Sequence, residues 1–233
     1  MNNEGFIHLK NLSKSYGLFL ALDNINLDIV KGKVVGLLGP NGCGKTTLIK
    51  LLANLLTNYE GEILIDGHVP GLQTKRIISY LPDRNYLNDS WNANAAIDFF
   101  EDFYSDFDRN KALTLLRKLN IPLETKFKSL SKGTKEKLQL ILVLSRQADL
   151  YLFDEPIAGV DPAARDYIFE LILENYNREA TIIITTHLVH DVEKILDQAI
   201  FLNHGRVTRF GDVDKIIGNS GKTLEDIFKE DFR

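Results

Sequence analysis

Residues Gly39, Pro40, Asn41, Gly42, Cys43, Gly44, Lys45, Thr46 and Thr47 follow directly on the apolar run Val34–Leu38, and Tyr151-Leu-Phe-Asp-Glu-Pro156 stands far downstream. The first stretch fits Gly-x4-Gly-Lys-Ser/Thr. Its glycines let successive backbone N–H groups turn inward around phosphate oxygens, while the helix that follows presents its positive end to them. Lys45 then reaches the β and γ phosphates, and Thr46 offers its hydroxyl to Mg²⁺. Asp154, ending an apolar strand, stands just behind the direct ligands of that ion. The two stretches together are the halves of a nucleoside triphosphate site, and ATP or GTP binding follows.

Short apolar strands must carry these residues. Ile7 to Leu9, Ile25 to Ile29, Val34 to Leu38, Glu62 to Asp66 and Ile77 to Leu81 read as strands, with a helix from about Lys45 to Leu56. From about Asn92 to Gln147 the period turns helical. Phe99, Phe103 and Phe107 recur at four-residue spacing, as do Phe100 and Tyr104, and are read as the core of a small helical subdomain rather than a stacking site for a cofactor. Strands at Leu150 to Phe153, Thr181 to Thr185 and Ala199 to Leu202 follow, with a helix from about Pro162 to Tyr176. Gly205 to Gly211 reads as the far side of a hairpin entered through Asn203-His204-Gly205. The expected fold is α/β, with a mixed β-sheet core, an antiparallel β portion and that helical subdomain. We expect one domain over 1–233, its core at about 1–91 and 148–233 and its helical part at about 92–147.

Composition sets the frame. A chain of 233 residues, 44% apolar and 26% charged, can bury one good core. A single cysteine excludes a disulfide framework and fits a reducing compartment, so the cytosol is expected. The start Met-Asn-Asn-Glu-Gly has neither a basic region nor a cleavage site, and no apolar run approaches the ~18–20 residues that span a bilayer. A formal charge of −4 gives no footprint for nucleic acid, and none is expected as a partner.

A phosphate loop alone leaves kinases, GTPases, helicases and transport ATPases open. The motifs between and beyond decide. Leu130-Ser-Lys-Gly-Thr134 opens a helix ahead of the strand that ends at Asp154; Glu155 and Pro156 come next, then Ala158-Gly-Val-Asp-Pro162, then Thr185-Thr-His187. This order resembles the ATPase subunits of ABC transporters, over essentially the whole chain. No Asn-Lys-x-Asp guanine-reading motif is present.

The resemblance implies roles. Tyr16 stacks on adenine. Glu155 orients the attacking water and helps deprotonate it, a task for a fixed carboxylate because water is a poor nucleophile. His187 contacts the γ-phosphate and hydrogen-bonds that glutamate. Ser131 and Gly133 face the ATP held by an opposite subunit, and Asp161 belongs to the same nucleotide interface. One nucleotide sandwiched per interface makes dimerisation part of the mechanism.

Three departures stand out. Lys132 and Thr134 replace the glycine and glutamine of the family's Leu-Ser-Gly-Gly-Gln, so a cation is added beside an anion site. Asp83 takes the place where most relatives put a glutamine that contacts Mg²⁺ and water, with a shorter stem and an added charge. Cys43 lies in the phosphate loop beside a helix N-terminus, which lowers a thiol pKa, or is simply a small residue that fits. Near Asp83, the loop Arg84 to Trp91 lies by the groove that in the family accepts a short cytoplasmic helix of the membrane subunit. Tyr86 and Trp91 are candidate anchors there, with ordinary packing as the alternative for Trp91.

The resemblance therefore implies an ATP-hydrolysing subunit that dimerises around two MgATP and drives separate membrane-spanning subunits from the cytoplasmic face of the membrane. The motifs look most like those of bacterial exporters of the drug, bacteriocin or antibiotic-resistance type. A soluble ABC-type ATPase acting on a cytosolic assembly stays open, whereas intact Lys45, Asp154, Glu155 and His187 speak against a regulatory subunit with little turnover. The cargo is chosen by other chains.

Overall fold

The computed structural model describes residues 5–157, 160–218 and 221–232. Ile7–Tyr16 (β1) and Phe19–Ile29 (β2) form a long antiparallel hairpin, with Tyr16 opposite Phe19 and Ile7 opposite Ile29. Both strands exceed the sequence expectation. Leu9 and Leu12 are both buried although an alternating strand would send them to opposite faces, because the register shifts between them where Asn11 takes φ 50°. Such a bulge restores the alternation after a break that polar residues make look like a strand end.

Val34–Leu38 (β3) is buried at every position, the mark of a strand covered on both faces. Lys45–Leu52 (α1) stops short of the expected Leu56. Asn54 turns left-handed at φ 53°, and the Leu55 and Leu56 N–H groups both donate back to Lys50 O, closing the helix. Glu60–Ile65 (β4) then pairs with the free edge of β1, giving a three-stranded sheet in the order β2-β1-β4. Leu72–Ile77 (α2) was not expected. The Thr74 side chain accepts from Gly71 N–H and donates to Gly71 O, which starts a helix where the sequence shows no apolar period, and Ile78–Leu81 (β5) follows one residue later than expected.

Ala93–Phe103 (α3), Arg109–Lys118 (α4) and Lys132–Leu144 (α5) make the helical region. Each opens on a side-chain cap: Asn92, Asp108 and Ser131 accept from the backbone N–H groups of Ala95, Lys111 and Thr134. Leu150–Asp154 (β6), Pro162–Asn175 (α6), Thr181–Thr186 (β7), Val189–Val192 (α7), Gln198–Asn203 (β8), Arg206–Asp212 (β9), Val213–Ile217 (α8) and Leu224–Asp231 (α9) complete the order.

The second sheet runs β5-β6-β7-β3-β8-β9, parallel except for the closing hairpin of β8 and β9. Its two faces feed different cores. Tyr151 and Phe153 of β6 join the helices of the 93–144 region, α6 and α9, whereas Leu150 and Leu152 join α1 and the three-stranded sheet. The aromatic series of α3 does not behave as expected. Phe100 is buried, but Phe99 and Phe103 are 37% and 69% exposed. They stack on one another with ring centroids 4.4 Å apart, and Trp91 covers Phe99 at 4.9 Å. One face of α3 enters the core; the neighbouring face carries an aromatic row on the surface.

Candidate active site

Sheet register brings the motifs together. In the pairing of β3 with β7, Leu38 lies opposite Thr186; in that of β6 with β7, Asp154 lies opposite Thr185. The phosphate loop, the Asp154–Glu155 pair and His187 therefore leave three adjacent strands at the same end, the carboxyl end where open α/β sheets bind ligands.

Within the loop, Gly44 takes φ +113°, and a Cβ there would meet Ala21 O at 2.6 Å, so only glycine fits before α1. Gly205 N–H donates to Cys43 O at 2.9 Å and braces the loop from the β8–β9 turn. Asn41 and Gly42 are exposed, while Thr46 and Thr47 are half-buried in the first turn of α1. Lys45 Nζ, almost fully buried, donates to Gly39 O at 2.7 Å and Pro40 O at 3.2 Å, and lies 3.6 Å from Glu155 Oε1. His187 Nδ1 is 3.2 Å from both Glu155 oxygens. Glu155 itself holds φ 51°, a left-handed conformation costly for a residue with a side chain, with its N–H given to Thr185 Oγ1 at 2.9 Å.

Asp154 is buried. Its Oδ1 accepts from Thr185 Oγ1 at 2.7 Å and from Thr46 Oγ1 at 3.1 Å. Its Oδ2 is buried and has no hydrogen-bond partner among the described residues. Burial, reinforced by Asp83 and Glu155, holds this carboxyl above the ordinary aspartate range against the pull of the two threonine bonds. A hard cation beside Oδ2 and the Thr46 hydroxyl would remove both penalties, so the donor set fits Mg²⁺.

Asp83 is exposed on the loop after β5 and lines a cavity of about 390 Å³ together with Glu155, Lys132, Glu136 and Gln139. Ser131 caps α5 and its hydroxyl lies 2.7 Å from that of Thr134; Gly133 is exposed, and among the described residues nothing lies within 4 Å of where a Cβ would stand. Asp161 stands exposed immediately before α6, whereas Ala158 and Gly159 of the same motif lie outside the described residues. Tyr16 is 47% exposed at the tip of the β1–β2 hairpin, with Lys14 Nζ 5.0 Å from its ring centroid. Cys43 is buried, and burial pushes its thiol up despite nearby Lys45. The low-pKa alternative is corrected: desolvation outweighs the positive surroundings, and Cys43 fills space.

Two residues escaped the sequence reading. Thr185 was noted only as part of a strand end, yet it binds both Asp154 and Glu155. Gln139 on α5 accepts from Tyr86 N–H on its side-chain oxygen at 2.9 Å and donates its amide N–H to Asn85 Oδ1 at 3.0 Å, fixing the loop that carries Asp83. A lone glutamine among apolar neighbours on a buried helix face was the available signal.

A separate groove of about 510 Å³ lies between β5, the Pro82–Tyr86 loop and the helical region. Tyr86, Phe100, Tyr104, Leu55 and Ile78 are among its apolar lining residues. Trp91 is not among its lining residues and packs on Phe99. Arg146 also lines the groove. Its guanidinium pairs with Asp106 at 3.0 Å, donates to the carbonyls of Arg76 and Ile78, and lies over the Tyr104 ring at 3.8 Å. Among the described residues no helix is long and apolar enough to cross a membrane.

Known proteins are similar to this chain in sequence and fold. The "ABC transporter ATP-binding protein YtrB" of Bacillus subtilis is 32% identical over 216 residues, covering 90% of this chain and 73% of that one. The "Lantibiotic transport ATP-binding protein SrtF" of Streptococcus pyogenes is 29% identical over 224 residues, 95% of each chain. A solved structure described as an ATP-binding subunit of an ABC transporter superposes with TM-score 0.87 at 28% identity, over 96% of this chain and 98% of the other. Residues 22–158 match the ABC transporter family, and with Lys45, Asp154, Glu155 and His187 gathered at one end of the sheet the chain belongs to that family as an ATP-binding subunit.

Proposed function

We propose that this ABC-type ATPase binds MgATP, pairs with a second ATPase chain around two nucleotides, and drives separate membrane-spanning subunits on the cytoplasmic face of the membrane, for export. The observation that carries the reading is Glu155, held within 3.6 Å of Lys45 and 3.2 Å of His187 at the mouth of the phosphate loop.

Tyr16 offers an exposed ring face to adenine. Lys45 leaves the Gly39 and Pro40 carbonyls for the β and γ phosphates, a stronger charge-assisted partner. Thr46, Asp154 and Asp83 would hold Mg²⁺, which when bound offsets charge on the β and γ oxygens. Glu155 accepts a proton from the attacking water, and His187 keeps the carboxylate aimed and reaches the γ-phosphate. Ser131, Gly133 and Asp161 of a second chain complete the site, so a single chain holds half of it. Residues 1–91 and 148–233 act as the nucleotide-binding core and 92–147 as the helical arm whose orientation responds to closure. The groove beside Tyr86 receives the membrane subunit. A relative named for lantibiotic transport supports the bacteriocin-type direction.

The test is affinity purification of tagged Glu155→Gln chain with MgATP from gently solubilised cells. Stoichiometric recovery of a polytopic membrane protein is expected; a purely soluble complex would move the assignment to a cytosolic ATPase.

A further inference from the structure

Among the described residues four side-chain polar atoms are buried without a hydrogen-bond partner, and two of them stand on neighbouring strands: Asp154 Oδ2 on β6 and Tyr80 Oη on β5. The parallel register sets Tyr80 opposite Leu152, so Asp154 lies two residues further along the adjacent strand, on the same face. Residues so related are about 7–8 Å apart, within reach of an aromatic side chain. That face is the one turned to α1. Tyr80 packs on the core that holds Leu150 and Leu152, and Thr46 of α1 donates to Asp154 Oδ1. Burial first, then the charges of Asp154 and Asp83 against the pull of Arg84, hold the Tyr80 phenol above the ordinary tyrosine range. It therefore stays protonated and keeps a proton to donate. Asp154 has the complementary lack, since Thr185 and Thr46 both serve Oδ1.

We infer that Tyr80 is a positioning residue of the ATPase site, its hydroxyl holding Asp154 Oδ2 through a single water from the β5 side as Thr185 holds Oδ1 from the β7 side. The Tyr80 O–H donates to the water and the water donates to the carboxylate, which gives both buried atoms a partner. Packing accounts for the ring but not for the hydroxyl: phenylalanine would fill the same space without stranding a buried polar atom. Tyr80 so placed deepens the reading above in which Thr46 and Asp154 hold Mg²⁺, and depends on it. Its phenol is uncharged, so it steadies the carboxylate without setting a rival cation beside it. Side chains that orient a metal-binding group in this way are typically worth 10–100-fold in metal affinity.

The test compares the full chain with Tyr80→Phe, which keeps the ring and removes the hydroxyl. Binding of a fluorescent, non-hydrolysable ATP analogue is followed as Mg²⁺ is titrated, and again in EDTA. The half-saturating Mg²⁺ concentration should rise roughly 10–100-fold in Tyr80→Phe, with binding in EDTA unchanged. In the Asp154→Asn background the same replacement should change it by less than about twofold, because Tyr80 acts through that carboxylate. Three results overturn the role of Tyr80 and leave the Mg²⁺ reading standing: a wild-type midpoint in Tyr80→Phe while Asp154→Asn raises it, an equal loss of binding with and without Mg²⁺, or full additivity of the two replacements. Wild-type binding that ignores Mg²⁺, or an Asp154→Asn midpoint equal to that of wild type, overturns both.

Discussion

Thr185 Oγ1 donates to Asp154 Oδ1 at 2.7 Å and in doing so ties the end of β7 to the end of β6. The same hydroxyl oxygen receives Glu155 N–H, so one side chain sets the position of both carboxylates. Replacing it with valine keeps the shape and removes both bonds. Thr185→Val should lose about 1–3 kcal/mol of stability in urea unfolding, the cost of stranding buried polar groups. ATP turnover should fall further than unfolding alone explains. Unchanged turnover in the folded variant would remove Thr185 from the site.

Glu155→Gln keeps the length of the side chain and deletes the proposed proton acceptor. Steady-state ATP hydrolysis should drop by roughly 10²–10⁴-fold, the usual worth of a positioned general base. Nucleotide binding, read by equilibrium dialysis, should persist. Equal rates in the two proteins would contradict the assigned role.

Ser131 is both a helix cap and the hydroxyl assigned to a second chain's nucleotide, and substitution separates the two. Aspartate caps as well as serine does, within a few tenths of a kcal/mol, but adds a negative charge facing phosphate. Ser131→Asp should therefore leave the unfolding midpoint nearly unchanged while abolishing ATP-dependent dimerisation of the Glu155→Gln chain in size-exclusion chromatography. Ser131→Ala should cost about 1 kcal/mol of stability through the lost cap.

Cys43 tests the loop without mutation. Its thiol is held above the ordinary range by burial, so the thiolate that reacts with iodoacetamide is scarce at neutral pH and grows as pH rises through that higher value. Alkylation should be slower than for free cysteine at about pH 7.5, since burial lowers the thiolate fraction. MgATP should slow it further, and the modified protein should not bind nucleotide.

Arg146 joins β5 to the helical region. Arg146→Met removes its bonds to the Arg76 and Ile78 carbonyls and leaves Asp106 without its partner. A loss of about 3–5 kcal/mol in urea unfolding is expected, as for other broken buried pairs. Asp106→Asn, more exposed and still able to accept a hydrogen bond, should cost less.

How far the sequence carried differs by element. The phosphate loop, the strand ending at Asp154 and the strand before His187 are continuous apolar runs punctuated by glycine and polar residues, so β3, β6 and β7 were legible almost to the residue. The hairpin was not, because the bulge at Asn11 lets polar and apolar residues fall out of step with a simple alternation. α2 begins through a Thr74–Gly71 exchange that no apolar period announces. For α3 the four-residue spacing was seen, but spacing alone does not say which of two adjacent faces turns inward, and Phe99 and Phe103 went outward. The site's residue types were readable; its cross-strand contacts were not, since Thr185 reaches Asp154 only through the register of β6 against β7.

Glu155 sits in a backbone conformation that asparagine, aspartate and glycine enter more readily than glutamate does. Drift at this position is thereby trapped between two requirements. Residues that relax the backbone withdraw or delete the oxygens that meet Lys45 and His187, and those that keep the reach keep the strain. Glutamine satisfies the reach as fully as glutamate, so under the role proposed for Glu155 a chain that binds nucleotide without hydrolysing it is a single substitution away. Under the proposed pairing, a partner of unlike sequence that carried glutamine here would keep its architecture while losing hydrolysis.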